Sequence, residues 1–248
     1  MLILGHSYQL AHNIRIYMSC ILHIETSTQV CSVALSQDGT CLHEEVDLKG
    51  PSHAQVLAGY VEEAISFADS HAIPIDAVAV SKGPGSYTGL RIGVSEAKGV
   101  AYGRNAKLLS VPTLKLLTVP VLLGHDELPD DALLCPMIDA RRMEVYCAVY
   151  DRALKEIRPV QALVIDTDSF KDILDKHPVY FMGNGADKCT ETIKHPNAHF
   201  ITGIHPEAKN MIPLAEMAMA RKEFEDVAYF EPFYLKEFVT TKSKKQLL

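Results

Sequence analysis

Apolar residues recur along this chain in two rhythms, and the switches between them lay out its elements. From Cys20 the order is CILHIE, TST, QVCSVAL, SQDGT and CLHEEVD, short apolar runs parted by turn residues. Asp38-Gly39 is a strong two-residue hairpin signal, so this segment reads as an antiparallel three-strand meander. After Pro51 the spacing becomes helical. Val56, Leu57, Tyr60, Val61, Ala64, Ile65 and Ala68 share one face, with Gln55, Glu62, Glu63 and Ser66 opposite, which predicts a helix over 52–68. Ala77-Val78-Ala79-Val80 reads as a short buried strand, Gly83-Pro84-Gly85 as a tight bend, and a second helix is expected over 88–103. A strand over 107–111 and a helix over 112–123 follow.

The second helix is unusual in its small residues. Gly89, Gly93, Ala97 and Ala101 fall every fourth position, and Ser95, Gly99 and Gly103 form another such row. Each interior glycine costs about 0.8–1 kcal/mol relative to alanine, so such a helix implies close approach of another element to its backbone. Ser86 and Thr88 are both N-cap candidates. Strand, glycine bend and helix start together aim backbone N–H groups and a positive helix end at one point, a generic anion site.

The second half repeats the plan. Ile24-Glu25-Thr26 followed by Val30–Leu35 is matched by Ile138-Asp139-Ala140 followed by Val145–Tyr150, and Val179–Met182 runs into Gly183-Asn184-Gly185 as the earlier strand runs into Gly83-Pro84-Gly85. The expected architecture is α/β with mixed sheets and flanking helices in two lobes. The first lobe spans 20–117 and the second, reduced lobe 118–206. A helix over 207–222 is available to pack back on the first lobe, and a basic tail covers 236–248.

Composition narrows the function. With 48% hydrophobic and 22% charged residues the chain can bury a sizeable core, and a formal net charge of −7 argues against autonomous nucleic-acid binding. The basic cluster Lys236, Lys242, Lys244 and Lys245 is terminal. Six cysteines contain no C-x-x-C pair and lie mostly in apolar runs, as expected of free thiols in a reducing cytoplasm. Residues 1–17 hold no basic n-region or long apolar run, so neither a signal peptide nor a membrane span is expected; they read as part of an extension over 1–19, with Met18 an alternative start.

The runs IETST, SHAQVL, KGPGSYTGLRIGVSEAKGVA, IDARRMEVY and EPFYLK resemble the TsaB (YeaZ) family, nearly throughout from Met18 onward. The resemblance implies a two-lobe actin-like ATPase (ribonuclease-H-like) fold. It also implies a non-catalytic partner of TsaD, the enzyme forming threonylcarbamoyladenosine at position 37 of tRNAs that read ANN codons. A TsaE-like ATPase would complete the assembly, tRNA would be met only through the complex, and the chain alone would be a homodimer. Family members pair through the two helices described above, so Ala54, Ala58, Gly59, Gly89, Gly93, Ala97 and Ala101 are the expected partner interface.

An older metallopeptidase-like label of the family fits these residues poorly. TsaD-type enzymes carry His-x-x-x-His on the first helix, and here His53 is followed by Leu57; His195 and His199 flank Pro196. No metal, cofactor or catalytic residue is therefore expected. The rival reading is an ATP-binding or ATP-hydrolysing enzyme of the actin-like superfamily. Its phosphate turns need a close glycine, and neither Glu25-Thr26-Ser27-Thr28 nor Asp139-Ala140-Arg141-Arg142 has one. What this leaves is a vestigial nucleotide or anion cleft around Glu25, Thr26, Ser27, Gly83, Gly85, Ser86, Thr88, Gly183 and Gly185.

Overall fold

The structure, a computed structural model, describes residues 19–50, 53–125 and 127–236. The N-terminal extension with Met18, and Lys242, Lys244 and Lys245 of the tail, lie outside the described residues. Strands β1 (Cys20–Glu25), β2 (Cys31–Gln37) and β3 (Thr40–Asp47) form the antiparallel meander. The turn between β2 and β3 uses positive φ at both Asp38 (50°) and Gly39 (76°), the geometry that matches strand twist in a two-residue hairpin. Helix α1 (His53–Ser70) buries His53, Leu57, Val61, Ala64 and Ala68. β4 (Ala77–Gly83) joins β1 in parallel, α2 (Tyr87–Arg104) crosses over, and β5 (Lys107–Pro112) pairs with β4 in parallel. The first sheet is thus ordered β3-β2-β1-β4-β5.

Helix α3 (Thr113–Gly124) leads into the second half. There β6 (Leu133–Asp139), β7 (Glu144–Tyr150) and β8 (Glu156–Val164) form a second meander. The single turn α4 (Lys171–Leu174), β9 (Val179–Met182), the single turn α5 (Asn184–Asp187) and β10 (Ala198–Ile201) complete the sheet β10-β9-β6-β7-β8. Strand for strand this is the first sheet again, with β9 and β10 parallel to β6 and β9 respectively. The repeat seen in the sequence is a structural duplication of one mixed five-stranded sheet. Its second copy is reduced in its helices, from 18 residues in α1 and α2 to four in α4 and α5.

Alternation along β1 explains why its run is apolar throughout. Cys20, Leu22 and Ile24 point into the core shared with α1 and α2. Ile21 on the opposite face packs with Ala77, Ala79, Leu109 and Val111 under helix α6 (Ile212–Arg221), through Ala215 and Ala218. A sheet covered on both faces needs near-continuous hydrophobic strands. α3 lies between the two halves: Leu116 joins the α6 side of the first sheet, while Leu114, Leu117 and Val121 pack on Leu134, Ile138 and Tyr150 of the second. The expected lobe boundary at residue 117 falls inside this shared helix. The remaining face of the second sheet is closed by Phe170, Ile173, Leu174, Ala186 and Cys189.

Candidate functional site

The glycine bend and the first acidic turn meet face to face. Ser86 is the N-cap of α2, its hydroxyl accepting from Gly89 N at 3.2 Å, while Thr88 lies inside the first helical turn. The Ser86 backbone N–H donates to Ser27 O at 2.7 Å, and Thr26 Oγ1 donates to Gly89 O at 2.8 Å. The turn that follows β1 is therefore seated directly on the start of α2. A Cβ at Gly85 would stand 2.3 Å from Ser27 O, one at Gly89 2.1 Å from Thr26 O, and one at Gly93 2.2 Å from Thr26 Oγ1. Close approach explains these three glycines, and the approaching groups belong to the chain itself: backbone oxygens at Gly85 and Gly89, the Thr26 side chain at Gly93. Gly83, at φ +107°, is covered in turn by the C-terminal segment: a Cβ there would lie 2.6 Å from Phe233 O, and Phe233 N donates to Lys82 O at 2.7 Å.

Glu25 is wholly buried beneath this turn. Its Oε1 accepts from Ser27 N at 2.5 Å, and Oε2 has no hydrogen-bond partner. Burial pushes the carboxyl up to about 7, and its interactions with Ser27 offset this only in part. Two residues earlier, His23 is also fully buried, its Nε2 2.8 Å from Ser36 Oγ. Burial pushes this imidazole down to about 3. Thr26, Ser27 and Ser81 are buried around them.

The same device recurs in the second half. Gly183, at φ +93°, would carry a Cβ 2.4 Å from Met137 O, and Gly185 one 2.7 Å from Ile138 C, so this glycine bend also lies against its preceding strand. Asn184 Oδ1 accepts from Asp139 N at 3.0 Å. The Asp139–Arg142 turn has positive φ at both Arg141 (74°) and Arg142 (50°). Lys188 braces it, donating to Asp139 Oδ1, to Arg142 O at 2.6 Å and to Glu144 O at 2.7 Å. Seven of the nine residues of the expected cleft thus lie in one seated turn, and Gly183 and Gly185 in a second. The cavity of about 390 Å³ bounded by β5, α3 and α6 is lined by Lys82, Pro112, Lys115, Leu154, Met217 and Arg221, and by none of those nine.

His53 is structural in its contacts: its Nε2 lies 3.1 Å from Val30 O, and Leu57 one turn on is buried in the core. His195 and His199 diverge. His195 faces Asp175 at 3.3 Å, and His199 stacks on Tyr180 at 4.8 Å.

The expected partner interface divides in two. Ala54, Ala58 and Gly59 are exposed on α1, and a Cβ at Gly59 would meet nothing within 4 Å. Gly89, Gly93, Ala97 and Ala101 are buried inside the subunit, under Thr26 or in the core shared with β1 and β4. That row cannot touch a partner in the folded chain, and its assignment to the interface is corrected here. The other row is the one that faces outward. Ser95, Gly99 and Gly103 are exposed, and neither glycine would bring a Cβ within 4 Å of any neighbour. The two rows have identical spacing, so sequence alone did not separate them. Their relative polarity held a signal, since Arg91, Ser95 and Tyr102 lie on the Gly99 side. Arg104 also ties the two helices at their last turns, through a bidentate pair with Asp69 at 2.6 and 2.7 Å.

Comparison with known proteins agrees with this architecture. The family described as TsaD, tRNA N6-adenosine threonylcarbamoyltransferase, matches residues 48–244. The chain is 29% identical over 230 residues to the tRNA threonylcarbamoyladenosine biosynthesis protein TsaB of Escherichia coli (strain K12), covering 90% of this chain and 96% of that protein. It is 30% identical over 168 residues to TsaB of Bacillus subtilis (strain 168), covering 66% and 70%. Among solved structures, YeaZ from Pseudomonas aeruginosa superposes with a TM-score of 0.73 at 27% identity, covering 88% of this chain and all of that one. Near end-to-end similarity in sequence, together with the superposition on YeaZ, places this chain in the TsaB (YeaZ) family, a branch of the wider TsaD family.

Proposed function

We propose that this chain is a non-catalytic subunit in the formation of N6-threonylcarbamoyladenosine on tRNA, acting by binding a TsaD-like enzyme. Its relatives bear the name of that pathway. The observation that carries the non-catalytic reading is the seating of Thr26 and Ser27 on Gly85, Gly89 and Gly93. In an actin-like enzyme the turn after the first strand must leave room for phosphate and offer it free backbone N–H groups. Here Ser27 O accepts from Ser86 N, the Ser27 N–H is taken by Glu25, and burial raises that carboxyl to about 7.

The surface offered to the partner is the exposed side of α1 and α2, with Ala54, Ala58 and Gly59 on one helix and Ser95, Gly99 and Gly103 on the other. Small residues let a second helix pair approach closely, so the contact is a bundle of four helices, formed with a second copy when the chain is alone and with the TsaD-like enzyme in the complex. A TsaE-like ATPase joins that complex, and tRNA is met through it, in the cytoplasm. Among the described residues no helix is long and apolar enough to cross a membrane. Reconstitution tests the whole reading. Threonylcarbamoyladenosine should form when the TsaD-like enzyme, the TsaE-like ATPase and this chain are combined. The chain alone should neither make it nor hydrolyse ATP. Modification proceeding equally well without the chain would overturn the proposal.

A further inference from the structure

β3 and α1 meet along one edge of the first sheet. His43 and Glu45 alternate onto the same side of β3, and Glu63 of α1 comes down beside them. The imidazole nitrogen and one oxygen from each carboxylate all lie within 4.8 Å of one another, with His43 Nε2 3.8 Å from Glu45 Oε1. That separation is beyond hydrogen-bond range. His43 Nε2 is nevertheless shielded from solvent and has no hydrogen-bond partner. The ring is held by stacking on Phe67 at 5.7 Å, and Phe67 stacks in turn on His71 at 4.3 Å. The local charge is one-sided: the nearby Tyr60 phenol is pushed up first by burial and then by Asp47, Cys31, Glu45 and Glu63, with no cation opposing them.

An imidazole nitrogen facing two carboxylates and bonded to neither is a donor set for a metal ion. We propose that His43, Glu45 and Glu63 bind a divalent first-row metal ion, with zinc or manganese the best match to one nitrogen and two carboxylate ligands. Ligands of one such ion stand roughly 3.4 Å apart at bond lengths of about 2.1 Å. Glu63 is exposed and free to swing by the difference. Three protein ligands leave further coordination positions for water or for a group from outside the chain. The ion would clamp the edge strand β3 to α1, and so brace the helix that carries Ala54, Ala58 and Gly59.

The test uses the full chain, stripped with a chelator and titrated calorimetrically with zinc chloride and with manganese chloride, with thermal melting in parallel. One equivalent of metal per chain is expected, with an affinity that falls at least about tenfold in both His43→Ala and Glu63→Gln. The metal should raise the melting temperature of the parent chain and leave those of the two variants unmoved. Glu62→Gln, which changes a neighbouring exposed carboxylate outside the cluster, should bind as the parent does. Absence of saturable binding, or affinity unchanged in both His43→Ala and Glu63→Gln, would overturn the assignment, the latter by placing the metal on other histidines.

Discussion

Two buried ionisable residues of β1 act on stability in opposite senses. Between about pH 4.5 and 7 the folded chain keeps a proton on Glu25 that the unfolded chain has lost, so this residue contributes stability that declines as pH rises through that window. Between about pH 3 and 6.5 the unfolded chain binds a proton on His23 that the folded chain refuses, so stability from His23 grows with pH and is lost on acidification through 6.5. From pH 4.5 to 6.5 the two slopes cancel. Glu25→Gln should unmask the histidine, giving stability that climbs by about 1.4 kcal/mol per pH unit across that interval. His23→Gln should do the reverse, with stability falling over the same range. Urea unfolding at a series of pH values measures both, and parallel profiles for parent and variants would show that neither group is perturbed. The presence of an acid in the turn after β1 was plain in the sequence; its protonation state was not, because that depends on Ser27, Ser81 and α2 closing over it.

α2 holds two rows of small residues with opposite duties. At Gly89 even a methyl group would strike Thr26 O at 2.1 Å, so Gly89→Ala should destabilise the fold by about 1–3 kcal/mol, as overpacking does. At Gly99 nothing lies within 4 Å, so Gly99→Ala should stabilise the helix by up to about 1 kcal/mol. Chemical denaturation distinguishes them directly. Gly99→Leu carries the functional test: the variant should melt normally yet lose co-purification with the TsaD-like enzyme. Retention of full binding by the folded variant would move the partner surface off this helix face. The helix itself, its Ser86 cap and its end near residue 104 were legible from spacing and capping chemistry. Which row faced inward was not legible from spacing, for both repeat every four residues, and it is Thr26 that seats one of them.

At the scale of the molecule, charge governs what the isolated chain can bind. A net charge of −7 opposes polyanions, and Lys236 is already engaged by Glu144 at 2.5 Å. Binding of tRNA by the chain alone should therefore be weak, fall steeply with salt and depend on the lysines beyond residue 236; tight, salt-resistant binding after removal of residues 237–248 would contradict this. Unlike β8, α4, α5 and β10, the order of strands and helices through residue 123, the Asp38-Gly39 hairpin, the repeat of the plan in the second half and the family all followed from the sequence. Each is written in local periodicity, in turn residues whose φ preferences are intrinsic, or in contiguous runs such as GPGSYTGLRIGV. The tertiary structure alone decided that Thr26 and Ser27 sit directly on Gly85, Gly89 and Gly93 and that His43, Glu45 and Glu63 share one edge. It also decided that Ser95, Gly99 and Gly103, rather than Gly89, Gly93, Ala97 and Ala101, look outward. The physical reason is common to all three. They are relations between residues on different elements, set by how a helix rotates about its axis against the strands it covers; for α2 that angle is fixed by Thr26, 63 residues from Gly89, and no local pattern encodes it.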